Sequence, residues 1–175
     1  MVVDVNAVRQ ARLGDKDSFA EVYQQIADDL YKVALYSLGN SHDAQDVVSE
    51  TFIEAFKGIK NLRDDNSFKP WIMRILSIRC KRKIGQYISG RNEMDIDDFL
   101  DLQDERDGVE EQSTRKLALL NALDTLTAQE RQIVALAVIQ GYTVRETAEI
   151  LGAPQGTVSS KLHRTLKKLR AQLEK

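Results

Sequence analysis

Apolar residues recur along this chain at intervals of three and four, the spacing that lines one face of an α-helix. Between Asp15 and Leu38, Phe19, Val22, Tyr23, Ile26, Leu30, Val33 and Ala34 keep that spacing, and Gly39 closes the run; a short helix ending near Gly14 comes before it. Ser41 reads as the N-cap of a further helix reaching about Lys57, with Asp43 and Asp46 in its first turns, where the helix dipole favours acids. Its apolar stripe is Ala44, Val48, Phe52, Ala55 and Phe56, and its opposite face carries Asp43, Asp46, Glu50, Ile53, Glu54 and Lys57. An isoleucine set among exposed acids suggests a docking surface, although a solvated face with one stray apolar residue fits equally well.

Gly58 to Asn66 is polar and punctuated, so a loop is expected, after which Ser67 caps a helix from Phe68 to about Gln86. Phe68, Ile72, Ile75 and Leu76 form its buried stripe; Arg74, Ser77 and Lys81 point away, and Arg82 and Lys83 crowd its end. Ser89 to Gly108 mixes acids with Met94, Ile96, Phe99, Leu100 and Leu102, which suits either a flexible linker or a strap settling on a basic surface. Val109 to Leu126 is again helical.

The C-terminal stretch is the most informative. Thr127 with Glu130, and Thr143 with Glu146, form two T-x-x-E capping boxes that each mark a helix start. The helix from Val144 to Leu151 buries Val144, Ala148 and Leu151, and Gly152-Ala153-Pro154 supplies a sharp turn, with Pro154 suited to the first position of the next helix. In that last helix Val158, Leu162, Leu166, Leu169 and Leu173 share one stripe. Gly156, Ser160, His163, Arg164 and Lys167 then lie on the far side, flanked by Thr157, Ser159 and Lys161. Small polar groups near the helix start can approach base edges while the later cations reach phosphates, which is the logic of a helix-turn-helix.

Composition sharpens this picture. With two prolines, no strong period-2 alternation and an excess of helix formers, the 175 residues read as an all-α protein of two small helical domains. The formal net charge of -2 conceals a segregation: seven Lys or Arg and no acid lie between Lys69 and Arg91, and six lie between Lys161 and Lys175 against Glu174 alone. Ten acids against Arg106 fill Asn92 to Gln112. Local charge, not the sum, meets a phosphate backbone. Cys80 is the only cysteine, so no internal disulfide or multi-cysteine metal site is possible, and it reads as an inert packing residue. His163 and His42, the two histidines, lie in different domains, which argues against a metal. No signal pattern and no apolar run of roughly 20 residues appears. A soluble, cytoplasmic protein without membrane insertion of its own is expected, with no nucleophile-base pair, phosphate loop or cofactor pattern and hence no enzyme activity.

Taken in order, these segments resemble the extracytoplasmic-function (ECF) group of the sigma-70 superfamily, the promoter-recognition subunits of bacterial RNA polymerase. "DAQDVVSETFIEAF" at Asp43 to Phe56 looks like region 2.2, "FKPWIMRI" at Phe68 to Ile75 looks like region 2.3, and Ala122 to Leu169 looks like region 4. The resemblance implies a sigma-2-like domain at residues 1–88, an acidic linker at 89–108 and a sigma-4-like helix-turn-helix domain at 109–175. It also implies that Asp46, Glu50 and Ile53 grip the β′ clamp helices of core RNA polymerase, with the β flap as a second contact. The −10 element would be held by Arg74, Ser77, Lys81 and Arg82, with the loop Asp64, Asp65, Asn66 and Ser67 capturing a flipped-out base. Trp71 reads as a packing residue rather than a stacking platform. The −35 element would be read by Ser159, Ser160, His163 and Arg164, with Thr157, Lys161 and Lys167 beside them. Ile78, Arg82 and Ser159 depart from residues common in relatives, so the base preferences are expected to differ. An anti-sigma factor that clamps the two domains is a further implied partner.

The resulting expectation is an ECF-type sigma factor that binds core polymerase and directs promoter recognition. Two rivals are a polymerase-independent helix-turn-helix regulator, which would want a symmetric half-site, and a helical interaction module that does not bind DNA. Neither accounts for the ordered region-2-like segments.

Overall fold

In the computed structural model, residues 1–90, 122–123 and 125–173 are described. The acidic segment and most of the helix expected at Val109 to Leu126 lie outside them. Seven α-helices are present among the described residues: α1 Val5–Arg12, α2 Lys16–Leu38, α3 Ser41–Gly58, α4 Phe68–Gly90, α5 Ala128–Val134, α6 Val144–Leu151 and α7 Gln155–Leu173. Short 3-10 turns at Ile59–Asn61 and Asp65–Ser67 link α3 to α4, and a π-helical turn, Ala135–Ile139, extends α5.

The helix ends follow their chemistry. Asp15 accepts from the Ser18 amide at the start of α2, and Gly39 ends that helix in the left-handed region at φ 71°. Asn40, not Ser41, caps α3, its side chain accepting from the Asp43 amide at 2.9 Å. An amide one residue earlier reaches the third helical amide, so Ser41 becomes the first helical residue. Ser67 likewise does not cap α4; its Oγ donates to the Asp64 carbonyl at 2.7 Å, and Asp64 supplies the cap of the 3-10 turn. Both T-x-x-E boxes are complete and reciprocal.

Helices α1 to α4 enclose one core in which Phe68, Ile26, Leu30, Ile72, Met73 and Leu76 are fully buried. The predicted stripe of α4 is too narrow. Met73, Ser77 and Cys80 are buried as well because α4 is covered by α2 and α3 on one side and by α6 on another. Ile59 and Leu62, in the segment expected to be a polar loop, are also inside.

The C-terminal half, α5 to α7, packs directly on the first. Ala135, Leu136 and Ile150 belong to the same apolar cluster as the α1–α4 core, and Tyr36 of α2 packs against a second cluster of Ala122, Leu123, Leu126, Val134 and Leu169. Gln132 donates to the Ser77 carbonyl and Gln140 to the Asp29 carbonyl, each at 3.4 Å. A Cβ built on Gly39 would stand 2.8 Å from Arg131 Nη1, so the glycine also admits close approach of the two halves.

Candidate nucleic-acid interface

The last helix presents the side chains expected of a recognition helix. Gly152 turns the chain at φ 62°, and the Pro154 carbonyl accepts from the Thr157 and Val158 amides at 3.0 and 3.1 Å, which sets the start of α7. Thr157, Ser159, Ser160, His163, Arg164 and Lys167 are exposed, and Lys161 is half-buried. The inner stripe is Val158, Leu162, Thr165 and Leu169, with Thr165 fully buried. Leu166, expected inside, is 41% exposed. After Leu162, steps of three and four reach the inner face at Thr165 and then Leu169, leaving Leu166 to one side.

Basic groups converge where α7 crosses the start of α5. A cleft of about 270 Å³ is lined by Thr127, Glu130, Lys161, Arg164 and Lys168. Lys168 Nζ lies 2.7 Å from Glu130, and that bond, chiefly, with the Thr127 amide, holds the Glu130 carboxyl below the usual carboxylate range. Lys161 donates to Gln129, and Arg164 Nε donates to the Ser160 carbonyl at 3.2 Å. Three cations against one paired carboxylate leave the mouth net positive, which suits a phosphate backbone.

The basic helix α4 divides its cations between two tasks. Arg74, Lys81 and Arg82 are exposed around Ile78, itself 46% exposed. Arg79 and Lys83 turn instead to α3, where Arg79 meets Glu50 at 2.8 Å and Glu54 at 2.6 Å, and Lys83 meets Asp43 at 2.7 Å. Those two cations are struts between helices. Burial works against ionisation of Asp43, but Lys83 and the Tyr87 hydroxyl outweigh it and keep its carboxyl below the ordinary value. Asp43 is therefore a partly buried anchor, not part of the free acidic face the helical wheel suggested.

Two further expectations are corrected. Ser77 is only 6% exposed, covered where Gln132 of α5 reaches its carbonyl, so it does not face solvent in the docked arrangement. Asp65 is 9% exposed, with Oδ2 3.0 Å from Arg9 Nε and Oδ1 2.8 Å from Arg12 Nε. A carboxylate held between two guanidiniums is a root of the loop rather than a surface group. Asp64 and Asn66 remain exposed, and Ser67 is half-buried. Trp71 is half-buried, 5.8 Å from the Phe68 ring centroid and lying over Gly58, as a packing residue does.

On α3, Asp46 and Glu50 are exposed and Ile53 is 57% exposed. Phe56, assigned to the inner stripe, is instead 49% exposed and stacks edge-on with Phe19 at 5.1 Å; Tyr23, 4.3 Å from Phe52, continues the row. The signal was present in the sequence, since Ile53 and Phe56 stand at i and i+3 and form a second apolar strip beside the buried one. His42, Asp43 and Asp46 bring ligand atoms within 4.8 Å of one another, but Asp43 is committed to Lys83 and the other two are exposed. Nothing in that set selects a metal. No described helix is long and apolar enough to cross a membrane.

Two basic helical faces on two all-α halves, with an acidic and aromatic face beside one of them, are the features of an all-α DNA-binding protein. Residues 22–87 match Sigma-70 region 2 and residues 122–171 match Sigma-70, region 4. The chain is 31% identical to the ECF RNA polymerase sigma factor SigW of Bacillus subtilis, over 95% of this chain and 94% of that protein. It is 32% identical to the ECF RNA polymerase sigma factor SigE of Mycolicibacterium smegmatis, over 90% of this chain and 62% of that longer protein. It therefore belongs to the ECF RNA polymerase sigma factors, and directs transcription initiation. Among solved structures, CnrH in complex with the cytosolic domain of CnrY superposes with a TM-score of 0.71 at 23% identity, over 98% of this chain and 97% of that one. RpoE of Bartonella quintana, in complex with the anti-sigma factor NepR, gives 0.71 at 21% identity over 91% and 98%; both share the fold.

Proposed function

We propose that the chain reads a promoter at two points while bound to core RNA polymerase. Asp46, Glu50 and Ile53, extended by Phe56, dock on the β′ clamp helices, and the C-terminal half meets the β flap. Arg74, Lys81 and Arg82 hold the −10 element with Asp64, Asn66 and Ser67 as the capturing loop. Thr157, Ser159, Ser160, His163 and Arg164 read the −35 element, with Lys161 and Lys167 on its phosphates. The observation that carries this reading is the pairing, in one chain, of two separate basic faces, Arg74, Lys81 and Arg82 on α4 and Lys161, Arg164 and Lys167 on α7, none of which forms an ion pair with another described residue.

Two-point reading has a geometric consequence. Elements centred about 25 base pairs apart are separated by roughly 80 Å of duplex at 3.4 Å per pair. Gln132 and Ser77 touch, so the docked arrangement cannot serve both elements at once. Promoter binding must separate the halves, and residues 91–121 reach about 100 Å when extended. Ser77 becomes available to DNA in that opened form. An anti-sigma factor of the kind seen with the related folds would favour the docked form, and the protein would act in the cytoplasm without covalent chemistry of its own.

The test is transcription reconstituted from core polymerase, this chain and promoter DNA. Specific initiation that depends on both promoter elements is expected. Promoter binding by the isolated chain on a symmetric site, without polymerase association at any salt concentration, would instead establish the polymerase-independent regulator.

A further inference from the structure

We infer that α1 is a positioning element for base selection: Arg9 and Arg12, acting through Asp65, set the shape in which the 64–67 loop offers Asn66 to promoter DNA. The inference rests on the proposed reading of that loop as the −10 capture site.

Inward and outward residues alternate along the loop. Leu62 is buried and Arg63 and Asp64 are exposed; Asp65 is buried and Asn66 is exposed. The outward part is braced locally, because Asp64 Oδ1 accepts from both the Asn66 amide at 3.0 Å and the Asn66 side chain at 3.1 Å, while Ser67 Oγ donates to the Asp64 carbonyl. Such short-range bonds fix the turn but not its attachment to the domain. Attachment comes from below. Arg9 Nε donates to Asp65 Oδ2 at 3.0 Å, and Arg12 Nε stands 2.8 Å from Oδ1, off the hydrogen-bonding angle, so that contact is charge attraction. Arg12 Nη1 also reaches the Leu62 carbonyl at 3.5 Å.

Arg9 and Arg12 stand at i and i+3, on one face of α1. That helix is itself seated through Ala7, Val8 and Ala11. A buried carboxylate requires a compensating partner, and removing one leaves a charge that pulls the backbone toward water. Asp65 lies between Asp64 and Asn66, so any such movement displaces the two exposed side chains directly. Base discrimination by a polar side chain depends on hydrogen-bond placement, and a good contact distinguishes bases by roughly tenfold or more.

The experiment uses the full chain with core polymerase and a fluorescent single-stranded oligodeoxynucleotide from the non-template strand of a promoter it initiates at. The four bases are placed in turn at the position whose change most weakens wild-type binding, and the readout is the ratio of best to worst affinity. Arg12→Ala and Asp65→Asn are expected to collapse that ratio about tenfold while affinity for core polymerase is retained, and Arg12→Lys is expected to restore most of it. A purely structural role would lower all four affinities together and leave the ratio intact, which would overturn the inference. Where Arg12→Ala fails to fold, the charge-balanced pair Arg12→Gln with Asp65→Asn carries the same test. Asn66→Ala separates the two levels: its loss of discrimination with Arg12→Ala and Asp65→Asn unchanged refutes the role of α1 alone. Discrimination retained by all the variants, Asn66→Ala included, refutes the loop reading beneath it.

Discussion

Residues 1–90 gather their large apolar side chains into one continuous cluster, whereas residues 122–173 divide theirs among three, one of which is the core of the other half. Leu136 and Ile150, buried at 0% and 2%, find their surroundings against α2 and α4 rather than within α5 to α7. The polar atoms tell the same story. Gln140 Oε1, Tyr142 OH, Thr147 Oγ1 and Thr165 Oγ1 of the C-terminal half are buried without a hydrogen-bond partner, whereas the two such atoms of the N-terminal half, Arg12 Nε and Asp65 Oδ1, face each other as an ion pair at 2.8 Å; burial pushes the Tyr142 hydroxyl up to about 12. A buried polar atom left without any partner, water included, costs about 1–3 kcal/mol. The N-terminal half thus gathers its core largely within itself, while the C-terminal half borrows core from a surface that fits it imperfectly. A contact built that way can hold and still be exchanged for another partner, which the proposed two-point reading of a promoter requires.

The sharpest way to break this comparison is Phe68→Ala. Removing the largest fully buried side chain should cost about 3–5 kcal/mol and loosen both halves, since the C-terminal half leans on that core. Native-state hydrogen exchange would read it, and loss confined to α1–α4 would show the C-terminal half to be self-sufficient. Leu136→Ala should cost about 2–5 kcal/mol with the opposite pattern, lowering protection in α5–α7 and sparing α1–α4. Gly39→Ala probes the junction itself. A left-handed residue with Arg131 2.8 Å from the new Cβ should lose about 1–2 kcal/mol, together with part of the contact between the halves, followed by thermal unfolding and by small-angle scattering.

Effects within the C-terminal half should be smaller. Thr143→Ala removes one capping box and should cost about 1 kcal/mol, seen as fraying of α6 without change in α1–α4. Glu130 sharpens the point by pH. Its carboxyl is held below 4.5 by Lys168, so the stabilisation is present above that value and disappears as pH falls through the depressed folded value. Acid titration should loosen the α5–α7 crossing, and Glu130→Gln should abolish that pH dependence while leaving the other acid transitions in place.

Much of this architecture was legible in the residues. Period-3.6 spacing marked α2, α3, α6 and α7, and the capping boxes marked two starts to the residue, because those signals are local. What escaped was set by contacts between distant segments. Ser77 looked free on its wheel because the C-terminal half, α6 against α4 and Gln132 of α5 at the Ser77 carbonyl, helps to cover it. Asp65 looked like surface because its partners, Arg9 and Arg12, stand more than fifty residues earlier. Arg79 and Lys83 seemed surplus positive charge until α3 was seen to spend them on Glu50, Glu54 and Asp43. Phe56 and Leu166 mark the residual ambiguity of a helical stripe, whose edge residues are inside or outside according to the neighbour's width. The exposed set on α7 was readable throughout, since among the described residues Thr157, Ser159, Ser160, His163, Arg164 and Lys167 all stay exposed.

One distance bears most directly on the central claim that the two halves dock and then part on a promoter. Asn6→Cys and Gln172→Cys place labels on exposed positions of α1 and α7, while Cys80, fully buried with its thiol pushed up to about 12, stays unreacted. Energy transfer between the labels should report one well-defined separation in the free chain and a separation tens of ångströms longer in a transcribing complex with core polymerase and promoter. A separation unchanged from the free chain in a complex that initiates at both elements would contradict the account.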